Sequence, residues 1–211
     1  MFGGFNARRT FGYQAGVFNG SGETTAQSWQ TPLWAARVYA DPLGPYSLAE
    51  GSADAGRKPA LHVGFAVRGG APIRGRATPG VVQNVDGETA ADVEFAFKAP
   101  RVSATAEYFR MSDTQQNPVA LPDLHSTGVH AQIGYMIVPP RVEVAVRYAK
   151  VEGDTSLDDA AVDEWRAVLG YFWRAHNIKL QTDAGRVGYG ANFGRLSLRA
   201  RTGLPDLGNR L

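Results

Sequence analysis

An all-β fold, a transmembrane antiparallel up-and-down β-barrel of about ten strands, is predicted by three features of the 211-residue sequence. Apolar and polar residues alternate with a period of two in segment after segment. Short turns alternate with long polar connectors, as they do in outer-membrane barrels. No apolar run reaches the ~18 residues that would argue for a spanning helix, and the mean hydropathy is only −0.25. Alternating lipid-facing and water-facing residues average to such a value, so hydropathy does not weigh against a barrel.

The clearest strand is 141–151, R-V-E-V-A-V-R-Y-A-K-V, with Val142, Val144, Val146 and Tyr148 on one side and Glu143, Ala145, Arg147 and Ala149 on the other. The same reading applies to the rest of the chain in order. Segment 10–18 sets Tyr13, Ala15 and Val17 against Gln14, and 33–40 sets Ala36 and Val38 against Arg37. Segment 60–68 opposes Leu61, Val63, Phe65 and Val67 to His62 and Arg68. In 89–98 Val93, Phe95 and Phe97 oppose Asp92, Glu94 and Lys98, and in 101–111 Val102, Ala104, Ala106 and Tyr108 oppose Glu107. Segment 128–138 places Val129, Ala131, Ile133, Tyr135 and Ile137 against His130 and Gln132. Segment 164–174 places Trp165, Ala167, Leu169, Tyr171 and Trp173 against Arg166. Segment 177–185 sets Ile178 and Leu180 against Lys179, Gln181 and Asp183, and 195–202 sets Leu196, Leu198 and Ala200 against Arg199 and Arg201.

None of these apolar-side positions is charged. A Lys or Arg on the lipid face at mid-membrane costs about 2–4 kcal/mol, which explains such segregation if the apolar side faces lipid and the polar side a lumen. A soluble ligand-binding barrel requires the reverse. Tyr108, Tyr148 and Trp165 fall near the long-loop ends of their strands, and Tyr13, Phe97, Tyr135, Tyr171 and Trp173 near the short-turn ends, as two aromatic girdles do. Connectors 99–100, 139–140 and 175–176 are short, whereas 19–32, 69–88, 112–127 and 152–163 are long. Connector 41–59 breaks the pattern, being long on the short-turn side.

Composition fits one domain over 1–211, with 25 Gly and 12 Pro spread along the chain. The absence of Cys excludes disulfides and thiolate metal sites, and a net charge of +2 without a Lys/Arg run gives no nucleic-acid footprint. The opening residues carry no signal-peptide pattern, so the chain reads as a mature form or a carboxy-terminal portion of an exported protein.

Five phrases resemble the phosphate-selective porins of Gram-negative outer membranes, the O and P porin family. They begin at Tyr13 (Y-Q-A-G-V-F-N-G), Ala35 (A-A-R-V-Y-A-D-P-L-G), His130 (H-A-Q-I-G-Y), Val142 (V-E-V-A-V-R-Y) and His176 (H-N-I-K-L-Q-T-D). Their order is similar to the second half of such a porin. The resemblance implies a Gram-negative outer-membrane location, a share in a larger sixteen-strand barrel, assembly as a homotrimer, and passive diffusion of phosphate-like anions. It also implies outer-membrane lipid and lipopolysaccharide as surroundings. The family's constriction loop and amino-terminal strands have no counterpart here, and the chain ends on Leu211 where such proteins end on an aromatic residue.

The candidate pore-lining residues are Arg37, Arg68, Lys98, Arg147, Arg166, Lys179, Arg199 and Arg201, against the inward acids Asp92, Glu94, Glu107, Glu143 and Asp183. Cations lining a narrow channel favour anions through their summed potential. In the alternative they pair across adjacent strands and only keep the lumen wet. The acidic stretch 152–164 lacks the residue order of a calcium loop and reads as a solvated outer loop. His62, His125, His130 and His176 lack ligand spacing, and Asp123, His125 and Ser126 lack a nucleophile-elbow motif. Gly188 to Gly194 has the wrong glycine spacing for a nucleotide loop and reads as an outer turn. No enzyme signature, metal site or cofactor is expected. The rival expectation is a small non-conducting structural or binding barrel with a side-chain-filled interior.

Overall fold

The computed structural model describes residues 2–4, 10–18, 29–47, 58–72, 85–117, 119–120, 123–173 and 178–193. Among these there is no helix. The strands are β1 (Phe2–Gly4), β2 (Phe11–Phe18), β3 (Trp29–Ala40), β4 (Ala60–Pro72), β5 (Val85–Lys98), β6 (Val102–Asn117), β7 (Val119–Ala120), β8 (Leu124–Val138), β9 (Val142–Glu152), β10 (Ala161–Phe172) and β11 (Lys179–Tyr189). They form one antiparallel sheet in chain order, with β7 paired to the end of β6 as a side branch. The nine long strands make an up-and-down meander, the topology that short hairpin turns enforce.

Strands run beyond their predicted bounds at the long-loop ends. β6 continues through Ser112 to Asn117 and β8 begins at Leu124, where the apolar alternation has already ceased. Backbone pairing needs no side-chain pattern, so the ladder outlasts the signal that locates it. The predicted strand 195–202, with Arg199 and Arg201, lies outside the described residues.

Register confirms the facing assignments for every described strand. Val38 pairs with Tyr13 and Phe65, Val93 with Phe65 and Tyr108, Ile133 with Ala104 and Val146, and Leu169 with Val144. Directly opposed residues share a face, so the apolar positions form one continuous surface and the polar positions another.

Burial along the two faces is inverted relative to a water-soluble sheet protein. Leu180, Val17 and Ile133 on the apolar face are 74%, 73% and 59% exposed, whereas His62, Lys98 and Glu143 on the polar face are 5%, 4% and 7% exposed. Among the described residues only Met136, Ala160 and Phe172 are buried hydrophobics. A cavity of about 1000 Å³ is lined both by Gln14 on β2 and by Val151 on β9, so the sheet curls toward its polar face.

The apolar surface is a band set obliquely to the pairing rows. One row runs Tyr13, Val38, Phe65, Val93, Tyr108, Val129, Lys150, Asp163. It enters near the short-turn edge of the band at Tyr13, reaches the long-loop edge at Tyr108, and has left the band at Lys150. On β2 the band spans Phe11 to Val17, and along β10 and the residue after it the band spans Trp165 to Trp173. The shift is about one residue per strand, or about 3.3 Å along the strand for every 4.8 Å across it, an inclination of about 35°.

Candidate functional site on the polar face

All six described candidates, Arg37, Arg68, Lys98, Arg147, Arg166 and Lys179, lie on the polar face by register. They do not form a single ring of free cations. Arg37 on β3 donates through Nε to Glu94 Oε1 on β5 at 2.6 Å, reaching across β4. Gly64 on β4 makes this possible, because a Cβ there would occupy the space of the Glu94 carboxylate.

The same cluster extends to the short-turn end. Arg37 Nη2 donates to His62 Nε2 at 3.2 Å, which leaves His62 Nδ1 as the protonated nitrogen that donates to Asp41 Oδ1 at 2.6 Å. Both Asp41 and His62 are buried. The segment after β3 turns back over the polar face: Tyr46 N donates to Asp41 Oδ2 at 3.2 Å, and its ring lies 5.6 Å from His62 and 5.5 Å from Lys98 Nζ. This is where the long connector 41–59 begins, and its first residues fold against strand side chains. The sequence reading missed Asp41 and Tyr46; the one available signal was a long connector where a short turn was due.

Further round, Ser103 on β6 donates to Glu143 on β9 at 3.2 Å, across Gly134 on β8. A Cβ at Gly134 would stand 2.6 Å from both Glu143 Oε1 and Ser103 Oγ. Aromatic rings use glycine in the same way. Tyr39 covers Gly12 and Phe109 covers Gly128, each a directly adjacent strand away.

Arg68 pairs with Glu88 at 2.5 Å. Arg166 bonds Glu164 on its own strand at 2.9 and 3.1 Å, and also Asp183 on β11. Arg147 stands directly opposite both Gln132 and Arg166. Among the described residues it makes no ion pair. With Glu94, Glu107, His130, Gln132 and Lys98 it lines a second cavity of about 330 Å³. Lys179 is exposed on the outer strand β11.

The acidic stretch is ordered by its own hydrogen bonds more than a solvated loop requires. Asp154 is buried and Oδ1 accepts from Ser156 N at 2.9 Å and from Ser156 Oγ at 2.6 Å. Asp159, at φ 55°, accepts from Ala191 N at 2.9 Å, which ties the loop to turn 190–193. Among the described residues no group of three or more His, Asp or Glu side chains is arranged to hold a metal. Ser126 Oγ donates to the Gly153 carbonyl at 2.8 Å, and alternation sends His125 to the opposite face. No family model, curated protein or solved structure matches the chain.

Proposed function

We propose that the chain forms the wall of a water-filled outer-membrane pore for passive diffusion of small hydrophilic solutes, with anions favoured. The observation that carries the reading is the inverted burial along an inclined band: hydrophobic side chains exposed, ionic groups enclosed. An exposed apolar surface of this extent calls for a membrane or a partner. The band's inclination of about 35° to the pairing rows tilts the strands by the same angle from the band's normal, which matches the tilt of 35–45° that spanning barrels adopt. Tyr148 and Trp165, 4.7 Å apart at the long-loop edge, and Tyr171 and Trp173, 6.0 Å apart at the short-turn edge, suit two lipid–water boundaries.

Spin labels test the facing. Labels at Val144 and Leu169 are expected to respond to oxygen in lipid, and labels at Arg147 and Lys179 to a water-soluble relaxation agent. The opposite pattern removes the membrane reading.

Selectivity is a finer part of the proposal. Carboxylates neutralise Arg37, Arg68 and Arg166 locally, so the lumen potential is weaker than a count of eight cations suggests. Arg147, facing Arg166 without a carboxylate of its own, is the cation best placed to attract an anion. The resemblance to phosphate-selective porins extends the proposal to phosphate-like anions in a Gram-negative outer membrane. Arg147→Glu is expected to move the reversal potential toward cations in a planar bilayer, with the difference shrinking as the Debye length falls to about 3 Å near 1 M salt. An unchanged reversal potential would mean that Arg147 does not set selectivity.

The rival, a non-conducting barrel, draws support from Tyr46 and the ion pairs that fill the polar face at the short-turn end. Single-channel steps separate the two readings. Lipid-facing labels without any conductance favour the rival.

A further inference from the structure

Among the described residues the apolar face carries charge at one edge only. By the same parity this face carries Arg110 in segment 101–111 on β6 and Lys150 in segment 141–151 on β9, and it continues to Arg186 on β11, just past segment 177–185, all three at the long-loop edge. Each accompanies a boundary aromatic: Arg110 stands two residues past Tyr108, Lys150 two past Tyr148, and Arg186 directly opposite Trp165. At the short-turn edge the same face ends on residues such as Phe97, Ile137 and Trp173.

The three cations lie at one level. Arg110 is in the pairing row of Glu152, two residues above Lys150, and Lys150 is in the row of Gly188, two residues above Arg186. Each step therefore descends two residues over two strands, the inclination of the band itself. Neighbouring cations are about 10–12 Å apart along that line, given 4.8 Å between strands. Arg110 and Arg186 are exposed and make no hydrogen bond or ion pair among the described residues. Lys150 pairs with Glu152 at 2.6 Å, and Asp163 stands opposite it, so the rim is a spaced set of guanidinium groups rather than a uniform positive belt.

Resting on the transmembrane reading above, we infer that Arg110, Lys150 and Arg186 form a binding rim for the phosphate groups of a phosphorylated glycolipid of the outer leaflet, of the lipopolysaccharide type. Guanidinium groups bind phosphate oxygens through paired N–H donors, and at a lipid–water boundary long cationic side chains lay their stems on apolar surface with their heads in the headgroup layer. Charge at the long-loop edge alone, among the described residues, suits a membrane whose two leaflets differ, with phosphorylated glycolipid on the loop side.

The test uses the whole chain refolded into zwitterionic micelles, with bis-phosphorylated lipid A as the probe and native mass spectrometry as the readout. The protein is expected to retain the lipid. The Arg110→Gln/Arg186→Gln variant is expected to bind it at least about tenfold more weakly, a loss of about 1.4 kcal/mol or more. Arg141→Gln, which removes one charge at the short-turn end, is expected to bind like the unaltered chain. Dephosphorylated lipid offered to the unaltered chain removes any concern over folding and is expected to bind as weakly as the double variant sees the phosphorylated form. Equal binding by the double variant, by dephosphorylated lipid or by phosphatidylglycerol overturns the rim. Spin labels at Val144 and Leu169 in the same micelles separate the two layers of the reading: lipid-facing labels without phosphate-dependent binding overturn the rim alone, and water-facing labels overturn the barrel beneath it.

Discussion

Ile133→Arg is expected to destabilise the bilayer-embedded protein by about 2–4 kcal/mol. Ile133 lies midway along the β8 part of the apolar band, between Ala104 and Val146, and is 59% exposed. A guanidinium placed there cannot reach either boundary without distorting the sheet or thinning the membrane. Thr105→Arg, on the polar face in a cavity that also contains Glu94 and Glu107, is expected to change stability by less than about 1 kcal/mol. Urea titrations of the protein folded into phosphocholine vesicles compare the two. Equal costs would mean that the two faces meet the same solvent, and the membrane reading would fail.

Gly64→Val is expected to cost about 2–3 kcal/mol, although it replaces hydrogen by a small apolar group in a β-strand, where valine is ordinarily favoured. The new Cβ takes the position of the Glu94 carboxylate, so Glu94 must leave Arg37, and the guanidinium that holds the outer nitrogen of the buried Asp41–His62 pair loses its own carboxylate partner. Combining Gly64→Val with Glu94→Ala relieves the collision, so the double variant is expected to be less destabilised than the sum of the singles. Gly153→Ala serves as the control, since a Cβ there meets nothing within 4 Å. Additive costs at Gly64 and Glu94 would show that the strand, and not the carboxylate, rejects the side chain.

Alternation made the strands and their faces legible because one wrong step of register exchanges every residue between the two surfaces. Val142, Val144 and Val146 against Glu143 and Arg147 declare a face in six residues, without help from any other strand. The strand ends were not legible, since residues such as Ser112 to Asn117 extend the ladder through backbone bonds alone. Charge pairing was legible only as a class. Arg37 and Glu94 are 57 residues apart and meet across an intervening strand, and only the register together with the missing side chain of Gly64 brings them into contact. Tyr46 belongs to a connector with no periodicity to read. The rim cations were passed over because Arg110 and Lys150 hold the last apolar-side positions of segments 101–111 and 141–151 and Arg186 stands just past 177–185, so no apolar residue follows them on the same strand to mark them as part of that face.

The oblique course of the apolar band bears on how mispaired hairpins are sorted from correct ones. A two-residue slip keeps every side chain on its proper face, and Val, Ala and Leu on that face are similar enough to pack almost as well afterwards. If β9 slipped by two residues against β8, however, the strands beyond it would move by about 6.6 Å along their length. In one direction Lys150, Asp163 and Arg186 would sink into hydrocarbon, and in the other Tyr148 and Trp165 would be lifted clear of their boundary. On the proposed transmembrane reading the bilayer would act as a vernier on strand pairing, detecting by depth an error that the side chains alone would let pass.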